Sequence, residues 1–255
     1  MRMQGSSVTP SRLSSFGRMV RHVSFCALDP ASMGRSYKYR ERFNNAVFIS
    51  PNREFLFTKC EKCANVTMRR SLQNLVAERP LPPSFDDTDR WFAPLLQPSD
   101  LGLWRIDQIN DVPYKFAVVR NPYSRLLSFY LNVRRESYSK ALRGSTDMDF
   151  DTFVNLVTSQ TTEEMDPHWR VQYHNIFCDV IRYDHFARFE NLEDELQAIM
   201  ARYAPQSAEI RSVHKNQSNA GTKIATYYTA AIGKKVREKY AIDFEFFGYP
   251  LELPG

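Results

Sequence analysis

The apolar and polar positions of this chain alternate between strand-like and helix-like patterns. The stretch EFLFTKC, residues 54–60, is rich in apolar and aromatic residues, as is typical of a buried strand. The stretch VTMRRSLQNLVAE follows closely and places Met68, Leu72, Leu75 and Val76 at helical spacing. This part of the sequence therefore predicts a strand that leads through a short turn into a helix.

A second junction of the same kind lies in the middle of the chain. YKFAVV, residues 114–119, is a predicted strand, and YSRLLSFYLNVRRE, residues 123–136, is a predicted helix. Between them, Asn121 suits a helix N-cap and Pro122 suits the first helical position. The two junctions together predict strands that alternate with helices.

The remaining segments extend this pattern. Residues 1–45 are polar and weakly periodic, which predicts a loosely packed or poorly ordered N-terminal arm before a domain over residues 46–255. Order is predicted to begin near residue 46. Strand material is predicted at 179–190, and helices are predicted at 88–96, 98–109, 150–157, 191–203 and within 226–249. Strands alternating with helices indicate an α/β fold with a mostly parallel central sheet.

Composition narrows the class of protein. The chain has 255 residues, of which 43% are hydrophobic, which is enough for one sizeable core. Its formal net charge is +5, a mild excess that is compatible with an anionic ligand or with a solvated surface. No apolar run reaches the ~20 residues of a membrane span. With four cysteines, the sequence predicts a soluble protein of a reducing compartment.

The first junction carries residues suited to binding a phosphate. Lys62 lies in the predicted turn, the small Ala64 lets the backbone approach a ligand, and Thr67 offers a hydroxyl. The N-terminus of the following helix favours an anion. The turn contains no glycine, so it does not match the loop of standard P-loop NTPases. A solvated loop lysine is the alternative interpretation.

The second junction places an arginine where a buried strand ends. Arg120 can bind a phosphate with two parallel hydrogen bonds, and Ser128 lies two turns along the following helix. The alternative is an arginine paired with a nearby carboxylate and a serine that faces solvent. Ligands bind at the carboxyl ends of strands in α/β sheets. Two such junctions therefore suit a ligand with two separated anionic groups.

Four stretches resemble the sulfotransferases that use 3′-phosphoadenosine-5′-phosphosulfate (PAPS). EKCANVTMRRSL is similar to the first motif of that family, and VVRNPYSRLLSFY resembles its later motif almost without deviation. MDPHWRVQYHNIFCDVIRYDHFARFENLEDEL is similar to a third family segment, and the ending DFEFFGY resembles the family's ending. The similarity is greatest to carbohydrate sulfotransferases of the chondroitin/HNK-1 type and their bacterial relatives, and it implies a P-loop-like sulfotransferase fold.

The resemblance also implies roles for individual residues. Arg120 and Ser128 would bind the 3′-phosphate of PAPS, and Lys62 would stabilise charge as the sulfuryl group leaves for a hydroxyl, most simply one of a carbohydrate. The family uses no metal for this reaction. The residues implied to bind the 5′-phosphosulfate are Lys62, Cys63, Ala64, Asn65, Val66 and Thr67.

The sequence leaves the general base open. His168, in DPHWR, is the histidine placed best by the resemblance, and it is the predicted catalytic partner of Lys62. Asp86, Asp87 and Glu78 are the alternatives. Two positions depart from the first family motif, because Glu61 replaces a proline and Val66 replaces a hydroxyl residue.

Other functions remain as alternatives. A non-catalytic nucleotide-binding or nucleic-acid-binding protein fits the basic pairs, although no nucleic-acid motif is present. A nucleotide kinase is disfavoured by the missing glycine-rich loop. Family members in the Golgi carry a membrane anchor, and the sequence shows no segment of that kind. It therefore predicts a cytoplasmic enzyme of bacterial type, with peripheral membrane contact as the alternative. A zinc site is the remaining alternative, with four candidate ligands: Cys60, Cys63, His174 and Cys178.

Overall fold

The computed structural model describes residues 15–27, 36–77, 81, 93–102, 106–133, 148–203 and 220–254. Helices and strands within these residues are numbered in chain order. The helices are α1 (Ser15–Ala27), α2 (Tyr37–Ala46), α3 (Asn65–Val76), α4 (Pro122–Val133), α5 (Phe150–Ser159), α6 (Gln172–Asn175), α7 (Leu192–Tyr203), α8 (Ile224–Tyr227), α9 (Ala230–Lys239) and α10 (Ala241–Phe247). The strands are β1 (Val47–Ile49), β2 (Phe55–Thr58), β3 (Tyr114–Val119) and β4 (His185–Arg188).

The four strands form one sheet in the order β1-β2-β3-β4. β2, β3 and β4 are parallel, with Phe57 paired to Phe116 and Phe116 paired to His185. β1 is antiparallel to β2, and on its other side Ile49 exchanges two backbone hydrogen bonds of 2.8 Å with Leu96. The predicted α/β class is confirmed, and the antiparallel β1 makes the sheet mixed.

The parallel pairing brings the two predicted strand–helix junctions to one edge of the sheet. Thr58, the last residue of β2, is paired with Ala117 of β3, so both strands end on the same side. α3 begins at Asn65 and α4 begins at Pro122, each shortly after its strand. The carboxyl edge of the sheet therefore carries two helix N-termini, which is where α/β proteins bind ligands.

The hydrophobic core covers both faces of the sheet. Side chains alternate along β2, so that Phe55 and Phe57 lie on one face and Leu56 lies on the other. The first face packs against helices that include α3, α4 and α5, and the second packs against α1 and α2 through residues such as Phe43. All three β2 side chains are buried, which explains the apolar run in the sequence.

The described part of residues 1–45 differs from the predicted loose arm, because α1 and α2 are helices docked on the domain. They are held by buried polar side chains that bond to backbone carbonyls. Arg18 Nη1 donates to the carbonyl of Ala93 at 3.0 Å, and Arg40 Nε donates to the carbonyl of Phe25 at 2.8 Å. The packing faces combine these polar side chains with buried apolar ones, such as Phe25 and Phe43, so an apolar pattern alone did not predict this docking.

Two further expectations are corrected. The helix predicted at 88–96 is absent from its described end, since residues 93–96 are not helical and Leu96 pairs with β1. The strand predicted over 179–190 is limited to β4, because residues 176–180 form a turn before it and a 3-10 turn begins at Phe189 after it. Among the described residues, no helix combines the length and apolar character that crossing a membrane requires.

Candidate active site

The turn between β2 and α3 has a backbone shape that usually requires glycine. Lys62 and Ala64 have φ values of 66° and 54°, in the left-handed region, on either side of Cys63. Such alternation turns successive N–H groups toward one point, which forms an anion-binding concavity. Ala64 is also the N-cap residue of α3 and supplies no side-chain cap to the helix N-terminus. The turn therefore presents backbone donors and a lysine at the positive end of a helix.

Arg120 links this turn to the second junction. Its Nη1 donates to the carbonyl oxygen of Lys62 at 3.1 Å, and its Nε donates to the hydroxyl of Ser124 at 3.0 Å. The guanidinium lies 3.9 Å above the ring centre of Phe189, and the residue is only 5% exposed. The structure thus brings the two predicted phosphate-binding junctions into direct contact, 58 residues apart in sequence.

The electrostatic surroundings of Arg120 favour a bound anion. Burial lowers the pKa of Arg120 to about 10, so the guanidinium remains charged at neutral pH. Within the described part of the chain, it forms no ion pair with a carboxylate. Glu190 contributes a favourable charge, but its carboxylate oxygens accept from the backbone N–H of Asn121 at 2.8 Å and the hydroxyl of Tyr249 at 3.0 Å. A buried cation with neutral partners is stabilised by an anionic ligand.

A polar stripe on α4 continues from Arg120. Ser124, Ser128 and Asn132 are spaced four residues apart, so they lie on one face of the helix. Ser128 is buried, at 4% exposure. With its amide nitrogen 3.3 Å from the carbonyl oxygen of Ser128, Asn132 presents its amide oxygen to Lys62 Nζ at 2.6 Å. The predicted residues Lys62, Arg120 and Ser128 therefore border the same stripe, to which the structure adds Ser124 and Asn132.

Arg125 is a structural residue of the site that the sequence did not single out. Its buried guanidinium donates to three backbone carbonyls: Nε to Glu61 at 2.9 Å, Nη1 to Arg170 at 2.8 Å and Nη2 to Pro167 at 3.1 Å. Glu61 precedes Lys62, and Pro167 precedes His168. One side chain thus holds the loop of the predicted catalytic lysine beside the loop of the predicted base.

Gln172 connects the two junctions through hydrogen bonds to Cys63 and Arg120. Its Oε1 accepts from the backbone N–H of Arg120 at 2.9 Å and from the thiol of Cys63 at 3.3 Å, while its Nε2 donates to the Arg120 carbonyl at 2.8 Å. The backbone N–H groups of Gln172 and Tyr173 donate to the buried carboxylate of Asp243, each at 2.8 Å. The sequence pointed to this segment only through its resemblance to the family, and that resemblance assigned no role to Gln172.

His168 is paired with an acid that the sequence analysis did not consider. Asp166 Oδ1 lies 2.6 Å from His168 Nδ1 and 2.9 Å from the backbone N–H of His168. Burial raises the pKa of the Asp166 carboxyl, but the hydrogen bonds from His168 outweigh it and hold that pKa below its usual value. An ionised Asp166 makes Nδ1 the protonated nitrogen, so Nε2 carries the lone pair. The His168 ring centre is 5.4 Å from that of Phe129, the neighbour of Ser128.

The structure describes only some of the other candidate acids and histidines. Glu78, Asp86 and Asp87 lie outside the described residues. His185 pairs with Glu195 at 2.7 Å at the start of β4.

In the first turn of α3, Asn65 and Thr67 are half-buried and Val66 is 40% exposed.

The zinc alternative does not have a suitable set of ligands. Cys60 and Cys63 lie together near Gln172, whereas the ring of His174 packs against Tyr173 with centres 5.2 Å apart. Across the described ranges, which include Cys178, no group of three or more histidine, cysteine, aspartate or glutamate side chains is arranged to hold a metal ion.

Comparison with known proteins identifies the family. Residues 45–250 match the family described as "Sulfotransferase family", so the chain belongs to this family, as the motifs predicted. It is 29% identical to carbohydrate sulfotransferase 14 of Danio rerio over 162 residues, which cover 54% of this chain and 44% of that protein.

Further relatives show the same partial coverage. The Homo sapiens carbohydrate sulfotransferase 14 is 27% identical over 170 residues, covering 54% of this chain and 43% of that protein. Carbohydrate sulfotransferase 11 of Rattus norvegicus is 24% identical over 164 residues, covering 53% and 46%. The chain thus matches less than half the length of these curated relatives. No solved structure matches it.

Proposed function

We propose that this protein transfers a sulfuryl group from PAPS to a hydroxyl of a carbohydrate, on a P-loop-like sulfotransferase fold. The observation that carries the proposal is the buried guanidinium of Arg120, which has only neutral hydrogen-bond partners among the described residues and bonds directly to the turn of Lys62. A donor nucleotide with two separate anionic groups suits a cation at each of two adjoining junctions. Membership of the sulfotransferase family supports the same donor.

The chain's own residues suit the two ends of this donor. The turn at residues 62–67 offers backbone N–H groups and the Lys62 ammonium for the 5′-phosphosulfate. Arg120 and Ser128 offer a guanidinium and a hydroxyl for the 3′-phosphate. Ser124 supports the guanidinium, since its hydroxyl accepts from Arg120 Nε and donates to the carbonyl of Asn121 at 3.2 Å. The donor supplies an activated sulfuryl group, and the family resemblance places no metal in the reaction.

The proposed chemistry depends on positioned charges and one proton acceptor. Lys62 stabilises the negative charge that develops as the sulfuryl group leaves, which is the largest catalytic contribution in reactions of this type. His168 Nε2 accepts the proton of the attacking hydroxyl, with Asp166 holding the imidazole in the required tautomer. Arg125 keeps the two loops at a fixed separation, so the groups are oriented before the acceptor binds.

The acceptor class rests on the relatives. Those that match this chain are carbohydrate sulfotransferases, and the net charge of +5 favours an anionic glycan over a cationic acceptor. A screen of neutral and acidic glycans with PAPS, followed by detection of the sulfated product, tests this part of the proposal.

The first prediction concerns nucleotide affinity. Calorimetric titration with adenosine 3′,5′-bisphosphate should show binding to the wild type, and Arg120→Ala should bind at least about 30-fold more weakly, because a desolvated charge pair is lost. The matched control is Arg182→Ala, which removes an exposed arginine near the opposite edge of the sheet and should bind as the wild type does.

Circular dichroism should show that Arg120→Ala keeps the fold. Equal affinity of Arg120→Ala and the wild type would contradict the nucleotide site. Nucleotide binding without sulfuryl transfer to any acceptor would instead favour the non-catalytic alternative.

A further inference from the structure

Cys60 and Cys63 stand at the two ends of one tight turn. The backbone N–H of Cys63 donates to the carbonyl of Cys60 at 3.2 Å, which closes a four-residue β-turn. Lys62 is the third residue of this turn and has the positive φ that the position requires in a type II turn. The ends of such a turn lie within about 7 Å of each other. That separation overlaps the range in which a disulfide forms without rearrangement of the backbone.

The two thiols face the same acceptor. Both approach Gln172 Oε1, at 4.0 Å for Cys60 and 3.3 Å for Cys63. Burial raises the pKa of the Cys60 thiol, but the neighbouring Cys63 side chain and the charge of Arg125 outweigh it, so that pKa lies below its usual value. Burial and the neighbouring Cys60 raise the pKa of Cys63. Cys60 is therefore the thiol that ionises first.

We infer that Cys60 and Cys63 form a reversible disulfide site that controls the turn carrying Lys62. The oxidant is a small-molecule disulfide of the glutathione type. The Cys60 thiolate attacks one sulfur of that disulfide and releases one thiol, which leaves a mixed disulfide on the protein. Cys63 then loses its proton, attacks the Cys60 sulfur and releases the second thiol, so two protein thiols are oxidised and one small disulfide is reduced.

The functional consequence rests on the proposed nucleotide site. Oxidation removes the S–H group that donates to Gln172, and Gln172 holds both the N–H and the carbonyl of Arg120. The new bond also fixes the turn whose Lys62 carbonyl accepts from Arg120. Both changes alter the position of the two cations relative to each other. The oxidised protein is therefore expected to bind the nucleotide more weakly.

The site is selective for this pair. Burial raises the pKa of the Cys178 thiol, which makes it a poor nucleophile, and Cys26 lies beside His22 on α1, where it forms no such turn with a second cysteine. Because Cys60 and Cys63 are both buried, oxidation requires a brief opening of the turn and should be slower than that of an exposed thiol.

Peptide mapping tests the disulfide directly. The wild type is treated with oxidised glutathione, remaining thiols are alkylated, and the protein is digested with trypsin. Since Lys62 lies between the two cysteines, a disulfide is expected as a crosslink between the peptides 60–62 and 63–69. The control Cys178→Ser should give the same crosslink. Recovery of both peptides in alkylated, unlinked form would overturn the inference.

A binding measurement tests the consequence. The oxidised wild type should bind adenosine 3′,5′-bisphosphate at least about tenfold more weakly than the reduced protein, and dithiothreitol should restore the affinity. Cys60→Ser and Cys63→Ser, whatever their own affinities, should show none of this change on oxidation.

The outcomes separate the two proposals. Equal affinity of the crosslinked and reduced forms would refute control of the site by the disulfide. Absence of binding by the reduced protein would contradict the proposed function instead, while the crosslink would still show whether the disulfide forms.

Discussion

Lys62 combines a strained backbone with the proposed catalytic charge. Its φ of 66° is held by the turn, and its carbonyl is bound by Arg120, so its backbone position does not depend on its own ammonium group. We predict that Lys62→Ala lowers sulfuryl transfer by about 100-fold or more, because it removes the cation beside the leaving group. The melting temperature should stay near that of the wild type.

Two further variants separate charge from conformation. Lys62→Gly relieves the left-handed strain yet also lacks the ammonium group, so it should be as inactive as Lys62→Ala. Lys62→Arg retains a positive charge and should keep more activity than either. Turnover at the wild-type rate by Lys62→Ala would remove Lys62 from the mechanism.

The pair of His168 and Asp166 predicts a general base for the acceptor hydroxyl. If Nε2 of His168 accepts the proton of that hydroxyl, His168→Ala should lower turnover about 100-fold and change the dependence of turnover on pH. The measurement is kcat/KM against pH for both proteins, with nucleotide affinity as the control for an intact donor site.

Asp166→Asn separates positioning from packing in the same experiment. The amide has a similar size, but it lacks the charge that selects the Nδ1–H tautomer, so turnover should fall while nucleotide affinity is kept. Identical pH profiles for the wild type and His168→Ala would exclude His168 as the base. The remaining candidates would then be Asp86, Asp87 and Glu78.

At the scale of helices and strands, the sequence pattern correctly predicted the elements that depend on neighbouring residues. The strand–turn–helix at each junction was correct, and Asn121 is the predicted N-cap of α4, with its Oδ1 accepting from the N–H of Tyr123 at 3.0 Å. These elements depend on apolar spacing and capping residues within about ten positions. The start of α7 at Leu192 differs from the prediction by one residue.

Elements that depend on distant partners were predicted less well. The strand predicted over 179–190 was too long, because β4 extends only where it pairs with β3. α1 and α2 were not predicted, and their docking combines buried apolar residues such as Phe25 and Phe43 with arginines that bond to distant carbonyls. Helix propensity and the spacing of apolar residues do not reveal a carbonyl acceptor that lies tens of residues away, such as that of Ala93 for Arg18.

At the scale of the whole molecule, the candidate site also divides into residues that a local motif predicted and residues that it did not. The motifs identified Lys62, Arg120 and Ser128 because their residue types and spacing follow a family pattern. Gln172 was not identified, since its role depends on a partner that only the fold brings near, 52 residues away in its bond to Arg120. Asp166 was missed for a different reason: its partner His168 is only two residues away, but no family pattern pointed to the pair. Sequence could therefore suggest which residues bind the donor, a role that stays a prediction, but it could not predict the contacts that hold them in place.

Arg125 provides a test of this long-range support. Its donors satisfy carbonyls that lie 64, 45 and 42 residues away in sequence, in the loop of Lys62 and the loop of His168. We predict that Arg125→Met lowers the free energy of unfolding by about 3–5 kcal/mol, because three carbonyls lose a buried charged donor. Urea denaturation measures this change, and Arg182→Met is the matched exposed control, expected within about 0.5 kcal/mol of the wild type.

Arg125→Lys extends the test from stability to alignment. A lysine can reach only some of the three carbonyls, so its stability should fall between those of the wild type and Arg125→Met. Where Arg125→Lys folds, turnover should fall more than nucleotide affinity, because the loop of His168 loses its fixed position beside the loop of Lys62 while Arg120 remains in place. If Arg125→Met were as stable as Arg182→Met, the two loops would have to be held together by other contacts.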